Sequence, residues 1–167
     1  MVIASFLIYI ASLKQLPSQK EVTTMLRPFK TKDIDQVMEI WLSANIDAHS
    51  FISSDYWKCQ YNSVKEQILQ ANIYVYEQDK KIVGFAGMVD NYLAGIFVDK
   101  KYRSMGIGKK LLNYIKENYS EFTLNVYEKN KDAVSFYLRE GLTIVEKGID
   151  ENTSETDYTM VCKQALL

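Results

Sequence analysis

From Met25 onward the hydrophobic positions of the chain switch between a helical and a strand-like period, and the switches mark out its elements. Met25 to Phe29 reads as a short strand, with Pro28 suited to an edge or a strand end. Thr31 is placed to cap a helix running to about Ala48, in which Ile34, Val37, Met38, Trp41 and Leu42 fall at helical spacing. A second helix begins after Ser53 and Ser54 and turns Trp57, Val64, Ile68 and Leu69 inward. Three runs rich in β-branched and aromatic residues follow, Ile73 to Gln78, Ile82 to Val89 and Tyr92 to Val98. The turn-prone segments Asp79-Lys80-Lys81 and Asp90-Asn91 separate them, which predicts an antiparallel meander. Gly106-Ile107-Gly108 opens a helix with Leu111, Leu112 and Ile115 on one face, and Phe122 to Val126 reads as the next strand. Asn130 suits the cap of a helix from Lys131 to Glu140 that Gly141 ends. Strands near Thr143 to Val145 and Tyr158 to Cys162 flank an acidic loop, Asp150 to Glu155. The pattern predicts one α/β domain without internal repeats.

Residues 1–24 do not share the pattern. Val2 to Leu13 is a polar-poor stretch of twelve residues, short of the ~20 that cross a bilayer as a helix. It also lacks the basic flank of a secretory signal. The chain therefore reads as an N-terminal appendage, 1–24, without an assigned role, and a domain from 25 to 167, with Met25 a candidate for the natural start. A length of 167 residues suits a single core. With 47% apolar and 25% charged residues the composition is near that of an average globular domain, which favours neither the disordered nor the fibrous class. Twenty basic against twenty-one acidic side chains argue against a surface that attracts nucleic acid or anionic lipid as a whole. Neither Cys59 nor Cys162 belongs to a CxxC pair, and no His, Cys, Asp and Glu set has ligand spacing, so no metal is expected. Reduced thiols fit a cytoplasmic protein.

The chemistry concentrates in Ile96 to Asn118, where a strand, a basic turn and two glycines lead into an amphipathic helix. The first N–H groups of a helix lack intrahelical partners and lie at the positive end of its dipole, so they bind phosphate without any side chain. Gly106 and Gly108 carry no Cβ to obstruct that approach, and Arg103 and Lys109 add charge. On their own these glycines could equally serve only to turn the chain. The segment is neither a P-loop, since Gly108-Lys109 is followed by Lys110, nor a dinucleotide motif, since Leu111 stands where a third glycine would.

Arg103-Ser104-Met105-Gly106-Ile107-Gly108 resembles the R/Q-x-x-G-x-G/A motif of the GNAT superfamily of acetyl-CoA-dependent N-acetyltransferases. Leu124-Asn125-Val126 through Asn130, Ala133, Phe136-Tyr137 and Gly141-Leu142 resembles the later motif of that family. The resemblance spans Met25 to about Val161. It implies a mixed, mostly antiparallel sheet of about seven strands flanked by about four helices and splayed between the fourth and fifth strands. It implies acetyl-CoA as cosubstrate and an amine as acceptor, which could be a small molecule, a lysine side chain or a protein N-terminus. The protein would act as a monomer or homodimer.

The same resemblance implies roles for residues. Backbone groups of Ile96, Phe97 and Val98 would pair with the pantetheine arm as an added strand, and Arg103, Ser104, Met105, Gly106, Ile107, Gly108 and Lys109 would hold the pyrophosphate. Asn130, Ala133 and Phe136 would line the cofactor from the next helix, Asn130 doubling as its cap. The intermediate's oxygen would meet a backbone N–H near Phe97 and Val98, and Tyr137 would protonate the departing thiolate, unless it is a core tyrosine. The general base departs from the family pattern, because Tyr92 to Val98 contains no carboxylate. His49, the one histidine, is the leading candidate and is otherwise a hydrogen-bonded loop residue; Asp90, Asp99 and Tyr92 are weaker candidates, and an already neutral amine needs no base. Two other classes compete with an enzyme: a non-catalytic acyl-CoA sensor, and an interaction module using an aromatic surface that includes Trp57, Tyr61, Tyr74 and Tyr76.

Overall fold

The computed structural model describes residues 22–163, so the stretch Val2 to Leu13 lies outside the described residues. The elements are β1 (Thr24–Pro28), α1 (Ile34–Ala48), α2 (Ser54–Ile68), β2 (Asn72–Gln78), β3 (Lys81–Val89), β4 (Tyr92–Val98), α3 (Ile107–Asn118), β5 (Glu121–Tyr127), α4 (Lys131–Arg139), β6 (Thr143–Ile149) and β7 (Thr156–Lys163). One sheet of seven strands runs in the order β1-β2-β3-β4-β5-β7-β6. Asp79 and Lys80, at φ 49° and 67°, form the left-handed turn that matches the twist of the β2–β3 hairpin.

Every strand pair is antiparallel except β4 with β5, which run parallel and share a single register pair, Tyr92↔Thr123. Beyond that pair the two strands diverge, so the part of β4 leading to Val98 bonds β3 on one side and has no β5 partner on the other. This is the splay that the family pattern implied.

Alternation along the central strands divides the core between the two faces of the sheet. Ile73 and Val75 pack with Val37, Met38, Trp41 and Trp57 of α1 and α2. Tyr74 and Tyr76, one residue out of phase, pack on the side of Leu111, Leu112, Ile115 and Tyr137 from α3 and α4. Leu111, Leu112 and Ile115 are completely buried, each contributing about 1.5–3 kcal/mol. They hold the start of α3 against β4.

Four sequence expectations are corrected. Thr31 opens a short 3-10 turn, Thr31–Asp33, and no side chain caps α1; the Asp33 carboxylate instead accepts the Lys30 N–H at 2.8 Å and ion-pairs with Arg27 at 2.7 Å. Leu69 is 49% exposed, because α2 ends at Ile68 and that residue takes the inward position. The last two strands extend beyond the apolar runs that marked them, since each pairs through polar residues as well. Trp57 and Tyr76 are buried, at 8% and 4% exposure, so two of the four aromatics proposed for an interaction surface belong to the core instead.

Candidate active site

The divergence of β4 from β5 opens a cavity of about 1090 Å³ between the C-terminal half of α1, the end of β4, the start of α3 and the length of α4. Ile96, Phe97, Val98, Arg103, Ser104, Gly106, Ile107, Gly108, Lys109, Asn130, Ala133, Phe136, Tyr137 and His49 all line it. Met105 does not: its side chain is 59% exposed, as suits a variable position of the motif.

Two glycines shape this wall. A Cβ at Gly95 would stand 2.6 Å from the Phe97 ring, so only glycine lets that ring lie against its own strand and stack on Phe85, 4.9 Å away. Gly106 takes φ 78°, and with Ser104 at φ 62° it folds the loop tightly into α3. Among the described residues no side chain caps α3, and its first intrahelical bond runs from the Lys110 N–H to the Gly106 carbonyl at 3.0 Å. The amides of Ile107, Gly108 and Lys109 precede that bond, so they remain available to an anion. By contrast, Ser53 caps α2 and Asn130 caps α4.

Three cationic side chains in and after the loop, Lys100, Arg103 and Lys109, already have protein partners. Arg103 donates from Nε to the Val98 carbonyl at 3.2 Å and from Nη1 to Asp47 of α1. Lys100 donates to the other oxygen of Asp47 at 2.6 Å, and together Lys100 and Arg103 hold the Asp47 carboxyl below the ordinary carboxylate range. Lys109 lies 3.4 Å from Glu140, at the end of α4. Asp47 was missed from the sequence, because its partners stand 53 and 56 residues away and nothing local marks them.

Asn130 uses both ends of its amide. Its Oδ1 accepts the Ala133 N–H at 3.2 Å as the α4 cap, and its Nδ2 stands 3.1 Å from His49 Nε2. An amide nitrogen has only donors, so Nε2 must be the accepting nitrogen and the proton of a neutral His49 sits on Nδ1. Among the described residues Nδ1 is buried without a hydrogen-bond partner. The ring stacks on Trp57 at 5.2 Å and meets the edge of Tyr127 at the same distance. Burial pushes the imidazole below its ordinary value of 6.5, with the Asn45 backbone opposing. His49 is thus held neutral, and its lone pair already faces a donor.

Tyr137 sits on the cavity wall and in the core cluster at once, 7% exposed. Its ring packs edge-on to Phe136 at 5.1 Å. Burial, with Tyr92 contributing, raises its phenol well above the ordinary value, so it stays protonated through the neutral range. Asp99, a weaker candidate for the base, caps the turn at Lys101 and pairs with Lys81 outside the cavity. Asp90 also lies outside that lining, in the β3–β4 turn.

A cavity with an open strand edge on one wall and an uncapped helix start on another fits a long ligand that carries a peptide-like arm and phosphates. Residues 47–160 match the family model described as an acetyltransferase (GNAT) domain. The peptidyl-lysine N-acetyltransferase YiaC of Escherichia coli K12 is 31% identical over 81% of this chain and 94% of its own length. The peptidyl-lysine N-acetyltransferase YjaB of the same organism is 25% identical over 71% of this chain and 82% of its own. In fold, the chain resembles the apo form of Escherichia coli YjaB, with a TM-score of 0.74 and 22% identity over 83% of this chain and 97% of that one. It also resembles the PaiA N-acetyltransferase of Thermoplasma acidophilum, solved in complex with coenzyme A, with a TM-score of 0.71 and 20% identity over 85% and 99% of the two chains. The chain belongs to the GNAT family of acetyl-CoA-dependent N-acetyltransferases.

Proposed function

We propose that the protein acetylates lysine side chains of peptides or proteins, using acetyl-CoA. The observation that carries this reading is the open edge of β4 facing the uncapped start of α3 across one cavity. The names of the two Escherichia coli relatives, both peptidyl-lysine N-acetyltransferases, favour lysine among the possible amines. Acetyl-CoA supplies the activated acyl group. The chain supplies backbone partners from Ile96, Phe97 and Val98 for the amide-bearing arm and the amides of Ile107, Gly108 and Lys109 for the phosphates. Tyr137, buried and protonated, donates a proton to the leaving sulfur. His49 acts by orienting Asn130, and the acceptor amine enters already neutral, which makes the rate climb toward the ~10.4 of an alkyl ammonium.

A thiol-release assay with acetyl-CoA tests this against a panel of lysine peptides, peptides with a free α-amine only, and small amines. Turnover is expected on lysine peptides and is abolished when the lysine Nε is blocked. Turnover confined to α-amines or small amines overturns the lysine assignment. The burial of Tyr137 favours one second reading, an acyl-CoA sensor: CoA would then bind without release of thiol on any acceptor.

A further inference from the structure

We propose that Asp47 is a positioning residue for the pyrophosphate of acetyl-CoA, acting through Arg103. The proposal rests on the reading of the cavity as the acetyl-CoA site. Arg103 lines that cavity, yet its guanidinium is not free to seek a ligand, because Nε is tied to the Val98 carbonyl and Nη1 to Asp47. These two anchors come from different walls, the end of β4 and the C-terminal half of α1, and fix the plane of the guanidinium. Among the described residues its remaining nitrogen, Nη2, makes no protein hydrogen bond. A planar, pre-set fork recognises a phosphate oxygen better than a mobile one, since less rotamer freedom is lost on binding.

Left uncompensated, a carboxylate in this wall would repel the pyrophosphate. Lys100 removes that objection by bonding Asp47 Oδ1 at 2.6 Å, which leaves the trio of Lys100, Asp47 and Arg103 with one net positive charge. The Asp47 side chain is 31% exposed, so replacing it does not open the core. The ion pair also has a competing interpretation, in which Asp47 occupies Arg103 and must be displaced by phosphate. The two interpretations predict opposite signs.

Calorimetry with CoA on wild type, Asp47→Asn and Asp47→Glu reads that sign. Positioning predicts CoA affinity weaker by about 10- to 150-fold in Asp47→Asn, the scale of one charge-assisted hydrogen bond, with substantial recovery in Asp47→Glu. In an Arg103→Ala background Asp47→Asn then has no further effect. With S-acetylpantetheine, which lacks the pyrophosphate, Asp47→Asn keeps the wild-type kcat/KM while its KM for acetyl-CoA rises. Equal or tighter CoA binding by Asp47→Asn overturns the proposal, and so does an equal loss with both donors, which would mark a role in the fold. Wild-type protein that binds no CoA overturns the cavity assignment and the proposal with it, and the two failures are told apart by that measurement alone.

Discussion

Gly108→Ala separates the role of the α3 start in folding from its role in binding. Gly108 is the second residue of α3, and a Cβ added there meets only Phe136 Cζ and Cε2, at 3.7 and 3.9 Å, which is ordinary contact. The ligand-free protein therefore suffers no clash, and exchanging glycine for alanine in a helical conformation stabilises it by about 0.4–1 kcal/mol. For a domain of this size that raises Tm by roughly 1–4 °C. The same methyl group stands on the cavity wall, where the phosphates approach the amides. Losing one amide–phosphate hydrogen bond costs about 1.5–3 kcal/mol, or roughly 10- to 150-fold in Kd. Melting of the free protein and calorimetry with CoA should thus move in opposite directions. Gly106→Ala is the contrast: its Cβ meets nothing within 4 Å, but φ 78° in a residue with a side chain costs about 1 kcal/mol, so the free protein melts lower. A folded Gly108→Ala protein that binds CoA within about twofold of wild type would refute the backbone phosphate seat.

Tyr137→Phe removes only the hydroxyl, and an acid role predicts kcat lower by ~10²–10⁴-fold with CoA affinity retained; wild-type kcat in the folded variant, with chemistry limiting, ends that role. His49→Gln keeps an acceptor for Asn130 but cannot titrate, so positioning predicts most of the activity and a base predicts its loss. Because the folded-state pKa of His49 lies below 6.5, the unfolded chain takes up its proton first, and stability falls as pH drops through 6.5 toward the folded value. Melting scans between pH 7 and 5 should show a shallower decline in His49→Gln than in wild type, and parallel curves would contradict the buried neutral imidazole.

The elements were legible because each is written locally: the apolar faces of α1 and α3, and the β-branched and aromatic runs of β2 and β3 with the turn residues between them, need no tertiary knowledge. The splay was legible only through the family pattern, since no residue of β4 announces that its partner will diverge after Tyr92. Where reading failed, a distant partner decides the outcome. Thr31 is a sound cap by type, but Arg27, delivered by β1 and bridging Asp33 and Glu77, makes Asp33 the residue that ties down the start of α1. Arg103 and Lys109 stand in the cavity wall, and what the sequence did not show there is that Asp47 and Glu140 reach them from helices folded on either side. His49 suited a base by its ordinary pKa, until Trp57 covered its ring and Asn130 met its lone pair. At Arg103, Lys109 and His49 the missing knowledge concerns a charge or a proton, while the corrections at Thr31, Leu69 and the last two strands concern element bounds. Backbone amides keep their place at a helix start whatever surrounds them, whereas the partners of an ionisable side chain depend on which elements the fold brings beside it. In this chain the phosphate seat therefore belongs to the motif, and its electrostatics belong to the tertiary structure through α1 and α4.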